Sequence, residues 1–122
     1  MNNEQYNFKT TEAGKKGEIL ASIYLENKGF EIIDSNYRYK RAEIDLIATH
    51  QKLLIFIEVK LRTNLLFGLP ETFVSTSKQK RIKMAAENYI FEKNWLHDIR
   101  FDIVSIVNRK GVVVIEHFMD SF

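Results

Sequence analysis

The sequence predicts a single α/β domain, a mixed β-sheet flanked by helices. Three observations predict it. Apolar patterns run helix, three strands, helix, two strands along 122 residues, a length that suits one domain. Only His50, Gln51 and Lys52 separate the second and third strands, which favours an antiparallel hairpin. A helix then separates the third strand from the fourth, and such a crossover normally joins parallel strands.

Each element has its own signal. Residues 1–10 are polar and read as a flexible N-terminal arm, leaving 11–122 as the domain. Over 11–28, Leu20, Ile23, Tyr24 and Asn27 follow helical spacing. Gly14 and Gly17 weaken its first turns, and Gly29 suits the residue after its end. Strands are expected over 30–38, 42–49 and 53–62. The apolar run Leu53 to Ile57 implies burial on both faces. The connection 63–77 holds Gly68 and the only proline, Pro70. It is longer than most, and long connections are often functional. A helix over 78–93 presents Ile82, Ala85, Ala86, Tyr89 and Ile90 as its apolar face. Strands over 100–107 and 112–118 flank a turn at Asn108 to Gly111.

Composition excludes several classes. At 45% hydrophobic and 28% charged residues the chain is globular rather than disordered. Without cysteine it can form neither disulfides nor thiolate zinc sites. No apolar run reaches the roughly 20 residues of a membrane helix, and none resembles a signal peptide. A cytoplasmic protein without membrane contact is therefore expected. A net charge of +2 and a pI near 8.8 point only weakly to nucleic acid. P-loop, dinucleotide and nucleophile-elbow motifs are missing.

The most sheet-like stretch, Ala42 to Arg62, also carries Glu43, Asp45, Glu58 and Lys60. Alternation puts Glu43, Asp45 and Ile47 on one face of their strand, with Ile44, Leu46 and Ala48 opposite. On the next strand Phe56, Glu58, Lys60 and Arg62 share a face, opposite Ile57, Val59 and Leu61. If the polar faces coincide, Asp45, Glu58 and Lys60 converge. Two like charges about 4 Å apart repel by roughly 4 kcal/mol at an effective dielectric near 20. Lys60 offsets only part of that charge. A divalent cation would remove the rest, and oxygen-only ligands suit Mg²⁺ or Mn²⁺. The blander alternative is a solvent-facing Glu58–Lys60 ion pair on an edge hairpin, worth under about 1 kcal/mol.

Six segments in order resemble the bacterial YraN-like family, which is uncharacterised. They are "GKKGEILASIYLENKGF" (14–30), "AEIDLIA" (42–48), "FIEVKLR" (56–62), "FGLPETFV" (67–74), "KQKR" (78–81) and "RFDIVSI" (100–106). The chain is also distantly similar to archaeal Holliday junction resolvases. It departs from the family at Ala42, where glycine is usual. The resemblance implies a restriction-endonuclease-like architecture with a PD-(D/E)XK site. It makes Asp45 and Glu58 metal ligands, with the Val59 carbonyl as a third. It makes Lys60 the catalytic lysine and brings Glu18 in from the first helix. It centres the metal on Asp45, not on Glu43.

Basic residues gather at Arg38 to Arg41, beside Tyr37 and Tyr39, and at Lys78 to Lys83. Lys40, Arg41, Arg62, Lys78, Lys80 and Arg81 are the expected phosphate contacts, the alternative being solvated surfaces. Gly14 to Gly17 match the GxxG loop of KH domains, without the strand and helix that would precede it. His50, His97 and His117 have no ligand spacing and read as surface or structural. Asp102 reads as a structural partner of a helix or a basic residue. "NLLF" (64–67) reads as a core plug, a dimer contact or a lid. The leading expectation is a Mg²⁺- or Mn²⁺-dependent nuclease or nuclease-like protein acting on DNA, on branched or repair intermediates. A non-catalytic nucleic-acid-binding module with the same fold is the alternative. A protein-interaction domain is the third. Cutting paired strands would call for a homodimer or two encounters.

Overall fold

The computed structural model describes residues 12–62 and 74–122. The N-terminal arm and residues 63–73 of the 63–77 connection, including "NLLF" and Pro70, lie outside the described residues. The elements are α1 (Glu12–Asn27), β1 (Glu31–Tyr39), β2 (Ala42–His50), β3 (Leu53–Arg62), α2 (Thr76–Lys93), β4 (Asp98–Arg109) and β5 (Val112–Phe118). They form one five-stranded sheet in the order β1-β2-β3-β4-β5. All neighbours are antiparallel except β3 and β4, which α2 joins as a parallel pair. This is the mixed α/β architecture that the sequence predicts, and it is consistent with a nuclease-like fold.

Local chemistry sets the boundaries. Gly29, at φ 92°, ends α1, while the Phe30 amide donates to the Leu25 carbonyl and the Gly29 amide to that of Glu26. That pair of bonds satisfies carbonyls a helix end otherwise leaves unpaired. The Ser75 hydroxyl caps α2 by accepting from the Lys78 amide at 3.2 Å. The helix therefore starts at Thr76, two residues before the expected 78. Asn94 closes it in the left-handed region, at φ 53° and ψ 45°. Lys110 and Gly111, both at positive φ, make the β4–β5 turn.

The sheet carries a core layer on each face. Leu54, Phe56 and Ile103 pack with Ile82, Ala85, Ala86 and Tyr89 of α2. Ile55, Ile57, Val59 and Val104 pack with Ala21 and Leu25 of α1. One expectation fails here. Ile44 does not share a side with Leu46 and Ala48: it packs in the α2 layer with Ile47, while Leu46 and Ala48 pack in the α1 layer. Strict alternation cannot put residues three apart on one side, so it breaks between Ile44 and Leu46. The register pairs Tyr37 with Ile44 and Ser35 with Leu46. The break thus falls where Asn36, at φ 53°, lies level with Asp45.

Candidate functional site

Asp45 sits at this irregularity and uses it. The β2–β3 register runs from His50↔Leu53 to Leu46↔Ile57. Beyond that pairing the Asp45 carboxylate accepts from the Val59 amide at 2.7 Å. A side chain there takes a backbone donor of the neighbouring strand, and Asp45 is 2% exposed.

Glu18 reaches the same place from α1 and is also buried. Gly17, also buried, faces the sheet next to Leu61 and Ile106, where a Cβ would stand at the ordinary contact distances of 3.8 and 3.9 Å. The Asn36 amide donates to both Glu18 carboxylate oxygens, at 3.0 and 3.1 Å. The left-handed backbone of Asn36 is uncommon outside glycine, and such conformations gather at functional sites. Glu43 completes the group and pairs with Arg38 at 3.2 Å. One ligand oxygen from each of Glu18, Glu43 and Asp45 lies within 4.8 Å of the others.

Glu58, though buried, is not in this group. Its carboxylate pairs with Lys60 at 3.5 Å and with Lys78 of α2. Glu58 follows the β3 positions that face α2, whereas Glu18 belongs to α1. The two acidic centres therefore approach the β2–β3 junction from opposite sides, linked by Asp45 and the Val59 amide. Lys78, expected on phosphate, is engaged with Glu58. Lys40, Arg41 and Arg81 line one cleft, Lys80 is exposed beside it on α2, and Arg62 ends β3 half-buried.

Spacing along the chain does not bring Asn36 or Arg38 forward as site residues. The Glu43-x-Asp45 spacing was the available signal for Glu43. Asn36 carried none, because its role depends on a backbone break.

A fourth buried carboxylate, Asp102, is fully enclosed near the start of β4. Arg100 grips it with two bonds of 2.8 Å, the Asp120 amide adds one of 3.0 Å, and His117 Nε2 lies 2.7 Å away. Lys28 Nζ stands 2.8 Å from His117 Nδ1. An ammonium can only donate, so Nδ1 accepts and Nε2 carries the proton given to Asp102. Burial pushes the Asp102 carboxyl up, but the His117, Arg100 and Asp120 bonds outweigh it and hold it below the usual carboxylate range. This is the structural role expected of Asp102 and of His117.

A mixed sheet with buried carboxylates gathered at a break in one hairpin makes this an α/β domain with an acidic centre, an architecture consistent with a nuclease-like fold. The family follows from the sequence. Residues 17–106 match the model of "Uncharacterised protein family UPF0102", and the chain belongs to that family, the YraN-like one it resembles. It is 42% identical over 111 residues to a UPF0102 protein of Christiangramia forsetii, covering 91% of this chain and 93% of that one. A UPF0102 protein of Cytophaga hutchinsonii is 43% identical over 109 residues, covering 89% and 94%. One from Chlorobium limicola is 44% identical over 116 residues, covering 89% and 90%. Among the described residues no helix is long and apolar enough to cross a membrane.

Proposed function

We propose that this protein is a metal-dependent nuclease that hydrolyses phosphodiester bonds in DNA, with branched or repair intermediates as its substrates, working in the cytoplasm. The observation that carries this reading is the convergence of Glu18, Glu43 and Asp45 within 4.8 Å. Three carboxylates so close repel one another, a repulsion that Arg38, Asn36 and the Val59 amide moderate and a cation would relieve. The donor set is all oxygen, which fits Mg²⁺ or Mn²⁺.

Glu18, Glu43 and Asp45 would hold the ion, with the Val59 carbonyl as a further donor, while Glu58 stands at the other side of the junction with Lys60 and Lys78. Such an ion supplies Lewis-acid polarisation of a phosphoryl oxygen and lowers the pKa of an attacking water. The remaining work falls to the chain. The Val59 amide fixes the Asp45 carboxylate, and Asn36 fixes that of Glu18. Lys60, its side chain 19% exposed, orients the water or stabilises the charge developing on the phosphate. Lys40, Arg41, Arg62, Lys80 and Arg81 contact backbone phosphates and give binding a salt dependence.

The test incubates purified protein with branched, flap, single-stranded and duplex DNA in Mg²⁺ or Mn²⁺. Cleavage is expected with wild type and is expected to vanish with Asp45→Asn and Lys60→Ala. Cleavage that persists in Asp45→Asn overturns the assignment of the site. Salt-sensitive binding with no cleavage of any substrate would make the protein a binding module that kept the fold.

A further inference from the structure

A cleft of about 360 Å³ opens at the end of the β1–β2 hairpin, lined among the described residues by Tyr39, Lys40, Arg41, Ala42, Arg81 and Met84. It lies on the α2 side of the sheet, away from the Glu18 carboxylate. Its floor is apolar: Tyr39 packs on the core beneath, Ala42 is buried, and Met84 stands half-exposed at the lip. Its rim is cationic. Lys40 Nζ lies 5.4 Å from the centre of the Tyr39 ring. Arg41 continues the turn, and Arg81 reaches in from α2. Among the described residues no carboxylate lines it.

That combination selects its occupant. Phosphate alone needs no aromatic floor, and an apolar side chain gains nothing from three cations. An unpaired nucleotide uses both, its base on the Tyr39 and Met84 surface and its phosphate against Lys40, Arg41 and Arg81. The volume is near the lower end of the roughly 300–1,000 Å³ of small-molecule sites, which suits one base rather than two. Resting on the nuclease reading, we infer that this cleft holds a single unpaired nucleotide of a DNA strand, so that the substrate is DNA with a single-stranded end or flap. The cleft is joined to the carboxylates by one step of chain. Ala42 lines it, and Glu43 is the next residue. Arg81 lies one helical turn from Lys78, which pairs with Glu58. A strand anchored by one base there runs past the β2 carboxylates.

The experiment measures binding of the full chain in EDTA, which removes any need for catalysis. Fluorescence anisotropy compares a blunt duplex with the same duplex carrying a single-stranded overhang. A 2-aminopurine in the overhang reports stacking directly. Wild type should bind the overhang roughly tenfold more tightly than the blunt duplex and quench the 2-aminopurine. Met84→Glu alters only an exposed helix residue and places a carboxylate at the lip. It should erase both the preference and the quench, with a smaller loss of blunt-duplex affinity because the new carboxylate also faces Lys40, Arg41 and Arg81. Tyr39→Phe, which keeps the ring, should behave as wild type. Asp45→Asn should keep the preference, since it touches only the carboxylate site.

Equal affinity for the two DNAs, or a preference that survives Met84→Glu, overturns the inference. The nuclease reading fails separately: an overhang preference without metal-dependent cleavage leaves the cleft standing and removes the enzyme. Cleavage with no overhang preference does the reverse.

Discussion

Asp45 holds two opposed effects in one side chain. Its bond to the Val59 amide stabilises the β2–β3 junction, while its charge repels those of Glu18 and Glu43. Asn in its place keeps an oxygen for the amide and removes the charge. At a separation near 5 Å and an effective dielectric near 20, each repulsion is worth roughly 3 kcal/mol before compensation by Arg38 and Asn36. Asp45→Asn should therefore stabilise the metal-free protein, by about 1 kcal/mol in urea denaturation with EDTA present. It should also lose the upward shift in Tm that Mn²⁺ gives wild type. A less stable Asp45→Asn in EDTA would show that repulsion does not govern this cluster. Asp102 is the contrasting residue, since its charge is matched. Asp102→Asn leaves Arg100 with a weakened partner in a buried network, at a loss on the order of 3 kcal/mol at pH 7. The folded carboxyl titrates below its ordinary value near 3.9, so its contribution is complete above that pH and drains as pH falls through the lowered value. The gap between wild type and Asp102→Asn should hold from pH 7 to 5 and narrow below about pH 4. A gap that widens in acid would reverse the sign.

At the scale of elements, α1 carries a weakness that its position does not require. Gly17 is helical and buried, yet a Cβ there meets side-chain methyls only at 3.8 and 3.9 Å, ordinary contact distances. Gly17→Ala should stabilise the protein by roughly 0.5–1 kcal/mol through helix propensity. Mn²⁺ affinity, measured by calorimetry, should be unchanged, since Glu18 need not move. Weaker binding with higher stability would mean that the methyl lifts α1 and opens the carboxylate cluster. The elements themselves were legible in the sequence to within two residues at nearly every end. Apolar periodicity, Gly29 and the Asn108–Gly111 turn act locally, and β3 starts and stops where its pattern does. The site was legible only in part. Asp45 and Glu18 stand out as charges in apolar surroundings. Glu43 shares the Asp45 face by simple alternation, whereas the break at Asn36 and Asp45, which puts Ile47 in the layer of Ile44, is an event of backbone geometry that a period of two cannot express. Lys78 reads as a basic helix end, and only the packing of α2 on β3 turns it toward Glu58.

Across the whole molecule, one sheet serves two separate cores, and the acidic site lies at the strand junction between them. Ile55 belongs to the α1 layer and is fully buried, whereas Ile82 belongs to the α2 layer and is 3% exposed. Each loses one methyl on substitution by valine, at about 0.5–1.5 kcal/mol. The sheet stands between them, so they share no cavity and few partners. Ile55→Val and Ile82→Val should then add to within about 0.5 kcal/mol in the double variant, as distant sites do. Both layers hang on the same strands, so a single cooperative transition with an unchanged urea slope should persist in all three variants. Excess destabilisation in the double variant would mean that strain crosses the sheet from one layer to the other. Movement of α2, which holds Lys78, would then reach α1, which holds Glu18. A second transition would mean that one layer unfolds alone, leaving half of the acidic site standing.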